Sequence, residues 1–466
     1  MIKTSIANLN QFIGQTVTIN GWIHVARDQG KLLFFDIRDE TGIVQGVVFG
    51  KPALLEAAQK LRPEFVVSIE GHVNERPEKM KKHNQLNGSL ELEITAISVL
   101  NESQTPPFAI TEDSSHIDEE VRLKYRYLDL RTERMQKNLR TRSEFIRLCR
   151  QYLYDQHFVE IETPLLTEST PEGSRDFVVP SRHHPGKFYA LPQSPQQYKQ
   201  LLMNSGFQRY MQIARAIRDE DLRADRGYEH TQIDLEMAFV NQEDVLRLVE
   251  GMIINAVESL GHTIKQKPFP RIPYDEALAT YGADKFDLRT EEEKMAGVLA
   301  YAWVIDFPFF EKTEAGHWTF THNPFSMPLD SSLEDLMKAK NIENIKTTQY
   351  DLICNGFEAG GGSIRAHKPE IIEAVYKVMG YSPEEVQERV GHMLQAFTYG
   401  TPPHGGIALG VERNVMNLTG ESQLREVQAF PMTRRGHTAV MHAPKRLTAE
   451  QLTELQLRVP NLDETP

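Results

Sequence analysis

Apolar and polar residues alternate through much of the first hundred positions. Residues 16–25, 31–36, 43–49, 65–73 and 90–100 each read as a strand, and 52–61 reads as a helix between the third and fourth. A stretch rich in Ser, Thr, Pro and acids follows at 101–118, where Pro106 and Pro107 block helix, and it reads as a hinge. Residues 131–157 carry a helical pattern, with Phe145, Cys149, Tyr152 and Leu153 near one stripe. The basic residues Arg134, Lys137, Arg140, Arg142 and Arg147 lie elsewhere on that helix, solvated or near RNA. Residues 158–164 read as a strand ending in proline. Two apolar-rich runs, 210–216 and 233–240, alternate as half-buried antiparallel strands should, and a helix follows at 243–262. The expected division is 1–104, a linker at 105–130, and 131–466.

Five strands with a helix in that position are the order of an OB-fold, whose sheet face binds single-stranded nucleic acid by stacking and edge contacts. Arg27, Phe34 and Gln45 suit such a face as a cation, a ring and a base-reading amide. Phe34 and Phe35 are strand neighbours and point to opposite faces, and the pattern alone does not say which one is buried.

A chain of 466 residues is long enough for two or three domains, each with its own core. No apolar run reaches the roughly 18 residues of a membrane span, and the N-terminus lacks a signal pattern, so a cytoplasmic protein is expected. Two cysteines, Cys149 and Cys354, exclude a disulfide framework and a cysteine-based zinc site. The net charge of −13 argues against nonspecific nucleic-acid binding and leaves a specific RNA face open.

Between the 210–216 and 233–240 strands, Arg218-Asp-Glu-Asp-Leu-Arg-Ala-Asp-Arg226 sets three arginines and four acids in nine residues. Arginines capture phosphate or carboxylate in a planar, bidentate way, and acids beside them hold a metal or steer the guanidinium groups. The plain alternative is a solvated, salt-bridged hairpin tip. Further on, Asn355-Gly356 is the preferred two-residue hairpin turn, so Cys354 should oppose Phe357 and Ile353 should oppose Glu358. Asp351 then lies diagonally from Glu358 on one face. Two such carboxylates suit Mg²⁺, which takes a few carboxylates plus substrate phosphates and waters. The glycines that follow permit a bulge or close ligand approach. In 191–202, Ser194 is placed as an N-cap with Pro195 at the first helical position, which sets Gln196 and Lys199 on one face.

The 218–226 loop, with Thr231-Gln-Ile-Asp-Leu-Glu236 after it, resembles motif 2 of the bacterial-type aspartyl-tRNA synthetases, class II aminoacyl-tRNA synthetases. The helix and strand ending at Pro164 resemble motif 1, and the 402–418 run, containing Gly410-Val-Glu-Arg413, resembles motif 3. The resemblance covers nearly the whole chain. It implies an α+β protein: an N-terminal OB-fold anticodon-binding barrel, then a class II catalytic domain with an antiparallel sheet flanked by helices. The family's large GAD insertion domain is reduced to a short connection near 289–301.

The same resemblance implies an aspartate–tRNA ligase that uses ATP and Mg²⁺, acts as a homodimer and charges tRNA(Asp), with tRNA(Asn) left open. Arg218, Glu220 and Arg413 would be the catalytic groups. Aspartate would be bound by Glu172, Gln196, Lys199, Arg218, Gln232, Asp234, His322 and Arg365. ATP would be bound by Arg218, Asp219, Glu220, Glu358, Gly410, Val411, Glu412 and Arg413, metal by Asp351 and Glu358. Arg27, Phe34, Gln45 and Glu93 would meet the anticodon, with Phe35 in the core. For Gln45 and Glu93 the plain alternative is polar strand surface.

The chain departs from the family at Asn323, where a second histidine is usual, and at Gly227, where glutamine is common. Selectivity is expected from Lys199 and Arg365, which asparagine would leave uncompensated, a discrimination on the order of 10⁴. Alternatives are an asparaginyl-tRNA synthetase, against which 194–199 and 358–365 argue, and a noncatalytic RNA-binding paralogue, against which the full set of charged residues argues.

Overall fold

The computed structural model describes residues 2–82, 87–169 and 173–459. It resolves into two compact units, Met1–Arg134 and Met135–Pro466. In the first, the strands Thr16–Asp28, Leu32–Asp39, Gly42–Phe49, Val66–Glu75 and Leu90–Asn101 form one closed sheet. Thr16–Asp28 pairs with both Leu32–Asp39 and Val66–Glu75, and the parallel pairing of Gly42–Phe49 with Leu90–Asn101 completes the barrel. The helix Pro52–Gln59 lies between the third and fourth of these strands, as the pattern of alternation predicts. Strict alternation puts Val17, Ile19, Leu33, Phe35, Ile37, Val67, Ile69 and Leu92 inside. Phe35 is in the core and Phe34 faces outward.

Residues 105–130, expected as a hinge, carry the helices Glu119–Lys124 and Arg126–Asp129. They are held by a buried cluster in which Asp129 accepts from Ser114 Oγ at 2.5 Å and Arg126 at 2.6 Å. Proline excluded helix only where it stands, and charge pairing ordered the rest.

The second unit is built on an eight-stranded sheet. Its strand order is Arg271–Pro273, Tyr301–Ile305, Gln349–Cys354, Phe357–Ile364, His404–Gly410, Glu229–Ala238, Arg209–Ile217 and Val159–Glu160. The interior pairings are antiparallel and the two outermost are parallel. The expected strand at 158–164 is therefore short, because only one neighbouring strand pairs with it. The helix Glu133–Asp155 packs Phe145, Cys149 and Leu153 against one face of the sheet, beside Gln242–Ser259. That face is apolar, with Ile233, Leu235, Leu352, Ile407 and Leu409.

The opposite face carries the polar residues. Strands close in on each other there only because they are glycine: a Cβ on Gly362 would stand 2.0 Å from the Gly406 carbonyl oxygen. The connection at 289–301 carries the helix Glu291–Met295, capped reciprocally by Thr290 and Glu293.

Candidate active site

The floor of the site is the hairpin of Arg209–Ile217 and Glu229–Ala238, in which Gln212 pairs with Asp234 and Ala214 with Gln232. The second strand is not half-buried as expected. Gln232, Asp234 and Glu236 are buried as fully as the apolar residues between them, because the polar face is roofed by the helix Gln196–Asn204. Lys199, 2% exposed, descends from that helix with Nζ 2.6 Å from Asp234 Oδ1 and 3.1 Å from Glu236 Oε2. Arg365, just past the end of Phe357–Ile364, two strands away in the sheet, donates to Glu236 Oε1 at 3.0 Å and to Ser363 Oγ at 2.9 Å.

The four groups form a balanced buried set of two cations and two carboxylates. Burial drives the Asp234 carboxyl above its ordinary range despite Lys199. Burial also opposes ionisation of Glu236, but Arg365 and Lys199 outweigh it and hold that group low. This corrects the expected basis of selectivity, since Lys199 and Arg365 already have carboxylate partners. What remains toward the cleft is a set of N–H donors, which favour a ligand carboxylate and disfavour an amide NH₂ at the same place.

The helix itself starts one residue later than the sequence suggests. Pro195 is its cap and Gln196 its first residue, while Ser194 Oγ accepts the Gln196 N–H at 3.2 Å. The Pro195 carbonyl accepts the Lys199 N–H at 3.0 Å, so a proline at the cap serves as a start as well as one at the first position.

The far end of the cleft carries arginines, each beside a carboxylate. Arg218, at the exit of the first hairpin strand, donates from Nε to the Gln193 carbonyl at 3.3 Å and lies 3.9 Å from Glu220. Glu220 in turn accepts from Ser174 Oγ, and the Asp219 N–H donates to the Arg175 carbonyl at 3.0 Å. These bonds, with Gln193 binding Ser174 and Asp176, tie residues 174–176 to the hairpin. Glu172 lies outside the described residues. Arg413, in the first turn of the helix Val411–Thr419, reaches Asp225 at 3.1 Å and Glu358 at 3.4 Å. Gly410 lines the cleft, and a Cβ there would project into open space.

Two residues of the expected ATP set are engaged otherwise. Val411 is fully buried in the core. Glu412 accepts from the Thr231 N–H at 3.0 Å, Arg142 at 2.9 Å and Gln428 at 3.1 Å, so its carboxylate clamps the helix to the hairpin. Arg142, expected to be solvated or near RNA, is the other half of that clamp.

On the third wall the predicted turn register holds: Cys354 opposes Phe357 and Ile353 opposes Glu358. A bulge follows, so that Leu352 opposes Gly360 and Asp351 opposes Gly361. The bulge turns Glu358 and Asp351 toward one hollow above Gly361. A Cβ built on Gly361 would lie 2.9 Å from Asp351 Oδ1 and 3.5 Å from Glu358 Oε1, so the hollow exists only because the residue is glycine, and two carboxylate oxygens face it. That donor set suits a hard divalent cation completed by phosphates and water.

His322 Nε2 stands 3.5 Å from Asp351 Oδ2, and despite its burial the carboxylates Asp351 and Glu358 raise its pKa. Asn323, in place of the second family histidine, turns its Oδ1 onto the Phe325 N–H at 3.0 Å and so fastens the local turn. Two residues were not anticipated. Lys285 Nζ is 3.0 Å from Glu358 Oε2 and, with Arg413, holds that half-buried carboxyl well below the usual range. Gln349 donates from Nε2 to Asp351 Oδ1 at 2.8 Å. Lys285 gave no sequence signal; Gln349 gave one, its two-residue spacing from Asp351 on one strand face.

Lys199, Arg365, Asp234, Arg218, Arg413, His322, Gln349, Asp351 and Glu358 line one cleft of about 380 Å³. In the other unit, Arg27 pairs with Phe34, Phe34 with Val47 and Val47 with Glu93, which places them in one row across the barrel. Gln45 stands in the next row, donating to Glu91 at 2.9 Å, and Arg27 makes a two-bonded pair with Asp36 at 2.8 and 3.0 Å.

A largely antiparallel sheet with arginines at one end of such a cleft, in a chain that also carries a separate barrel, has known relatives. Residues 118–434 match the family model for tRNA synthetases class II (D, K and N), and residues 17–100 match that for the OB-fold nucleic acid binding domain. The chain belongs to the class II tRNA synthetases of the D, K and N group.

Within that group it is 38% identical to the aspartate–tRNA(Asp/Asn) ligase of Rubrobacter xylanophilus, over 96% of this chain and 94% of that protein. It is 37% identical to the aspartate–tRNA ligase of Staphylococcus aureus, over 96% and 97%. Those alignments run over 572 and 576 positions against 466 residues here, so each relative carries residues with no counterpart in this chain. Among solved structures, the asparaginyl-tRNA synthetase of Entamoeba histolytica in complex with asparaginyl-adenylate aligns with a TM-score of 0.73 at 26% identity, over 92% of this chain and 98% of that one. The aspartyl-tRNA synthetase of the same organism gives a TM-score of 0.73 at 22%, over 96% and 92%. The fold is thus shared by enzymes named for either amino acid.

Proposed function

We propose that the chain is an aspartate–tRNA ligase that forms aspartyl-adenylate from ATP and transfers aspartate to the 3′ end of tRNA(Asp). The observation that carries this reading is the buried donor pair, Lys199 and Arg365, fixed by Asp234 and Glu236 at one end of the cleft that Arg218 and Arg413 close at the other. Lys199 and Arg365 receive the side-chain carboxylate of aspartate. Asp234, whose Oδ2 has no hydrogen-bond partner among the described residues, accepts from the ammonium, and Gln196 and Gln232 flank the backbone of the amino acid. Arg218 draws off charge from the α-phosphate as the aspartate α-carboxylate attacks in line, and Arg413 holds the outer phosphates. The protein's part is positioning and electrostatics rather than covalent chemistry. Asp351 and Glu358 would hold Mg²⁺, which when bound neutralises phosphate charge.

The reading extends to the rest of the molecule. The Arg27, Phe34, Gln45 and Glu93 face would take the anticodon. The short Val159–Glu160 strand ends the sheet with exposed Val159, Leu165 and Leu166 beside it, a surface that fits a second copy in a homodimer. Among the described residues no helix is long and apolar enough to cross a membrane, and a cytoplasmic site of action accords with the substrate.

Amino-acid-dependent ATP–pyrophosphate exchange tests the reading. Aspartate should support exchange and asparagine should not, with charging of purified tRNA(Asp) and tRNA(Asn) measured on the same preparation. Exchange with asparagine alone would replace the proposal by the asparaginyl activity of the Entamoeba neighbour, and tRNA binding without exchange by a noncatalytic role.

A further inference from the structure

Gln349 begins the strand that carries Asp351, two residues before it and on the same face. It is 3% exposed and lines the cleft. A carboxylate only accepts, so the amide edge 2.8 Å from Asp351 Oδ1 is the NH₂, which fixes the other edge as the carbonyl. That carbonyl, Oε1, is buried and has no hydrogen-bond partner among the described residues. A buried acceptor left without a donor is costly, and it persists where a donor arrives with a ligand. Gly361 lies beside the amide's other edge, its built Cβ 3.5 Å from Gln349 Nε2 and 3.5 Å from Glu358 Oε1. Gln349 therefore borders the same hollow as the two carboxylates through its N–H edge, the edge that holds Asp351.

We infer that Gln349 is a positioning residue for the divalent cation, its N–H setting the rotamer of Asp351 at the hollow. The inference rests on the reading of Asp351 and Glu358 as cation ligands. Groups that touch a ligand's own ligands tune affinity by about 10- to 100-fold.

The test is Mn²⁺ binding to the full chain in the presence of ATP, read by the electron paramagnetic resonance signal of free Mn²⁺, with ATP binding in EDTA measured alongside. Gln349→Met should weaken Mn²⁺ by roughly 10-fold or more and leave metal-free ATP binding unchanged. Gln349→Asn, which keeps the amide but withdraws it by one methylene, is the milder variant and should weaken Mn²⁺ in the same direction. Asp351→Asn is the reference. If Asp351→Asn loses Mn²⁺ while both Gln349 variants bind it as the wild type does, this inference is overturned and the carboxylate reading stands. If Asp351→Asn also binds Mn²⁺ unchanged, the carboxylate reading falls and takes the inference with it.

Discussion

At the scale of single residues, the site is governed by which buried charges have partners. Lys199 and Arg365 could be singled out from the motifs they belong to, but their pairing with Asp234 and Glu236 could not. Those partners lie 35 and 129 positions away from Lys199 and Arg365 respectively, and nothing in local spacing joins them. The same holds for Lys285 on Glu358, where a lysine in an irregular stretch meets a carboxylate on a hairpin.

The pairing makes a prediction that the motif alone would not. Lys199→Met leaves Asp234 and Glu236 together with only Arg365 to offset them, and removing one partner of a buried ion pair costs about 3–5 kcal/mol. Asp234→Asn in the same chain restores the charge balance, so the double variant should regain most of that stability while aspartate-dependent exchange stays lost. Urea denaturation of the two variants gives the stabilities. If the second substitution restores nothing, the four groups are not a coupled set.

At the scale of elements, turn chemistry was legible and curvature was not. Asn355-Gly356 fixed the register of its hairpin, yet the bulge beyond it, which brings Asp351 and Glu358 to one hollow, depends on how the glycine run meets the neighbouring strand. The His404–Gly410 strand is anchored in another way. His404 is fully buried at its start, donating from Nδ1 to the Pro402 carbonyl at 2.8 Å and accepting at Nε2 from Gln200 of the Gln196–Asn204 helix at 3.2 Å. Both ring nitrogens are satisfied only by the neutral imidazole.

Burial lowers its pKa to about 4, with Arg365 acting in the same sense and Glu236 against it. In the unfolded chain the value is about 6.5. Below that pH the unfolded state takes a proton that the native state refuses. The contribution of His404 is therefore complete above about pH 6.5 and is lost as the pH falls toward 4, at up to about 1.4 kcal/mol per pH unit. The stability difference between wild type and His404→Gln should shrink between pH 6.5 and 4.5. A difference independent of pH over that range would show that the ring is not held neutral.

At the scale of the whole molecule, the two units divide the work. Both were visible in the sequence because each has its own period of alternation and its own core, whereas residues 105–130 were misjudged since their order comes from buried charge pairing around Asp129. The groups proposed to make the adenylate all lie in Met135–Pro466, and the outward row of Arg27, Phe34 and Glu93 lies in Met1–Arg134. Amino-acid activation and tRNA selection should therefore separate under mutation. Phe34 sits opposite Arg27, whose guanidinium is held flat by Asp36, so its ring is the one aromatic surface of that row. A stacked base is worth about 1–3 kcal/mol. Phe34→Ala should lower kcat/KM for tRNA(Asp) roughly 10- to 100-fold, mostly through KM. Aspartate-dependent pyrophosphate exchange, which needs no anticodon, should be unchanged. The barrel should keep its stability, because Phe35, not Phe34, fills its core. Equal losses in charging and exchange would mean that the substitution acts through the fold, and unchanged charging would remove this face from the anticodon.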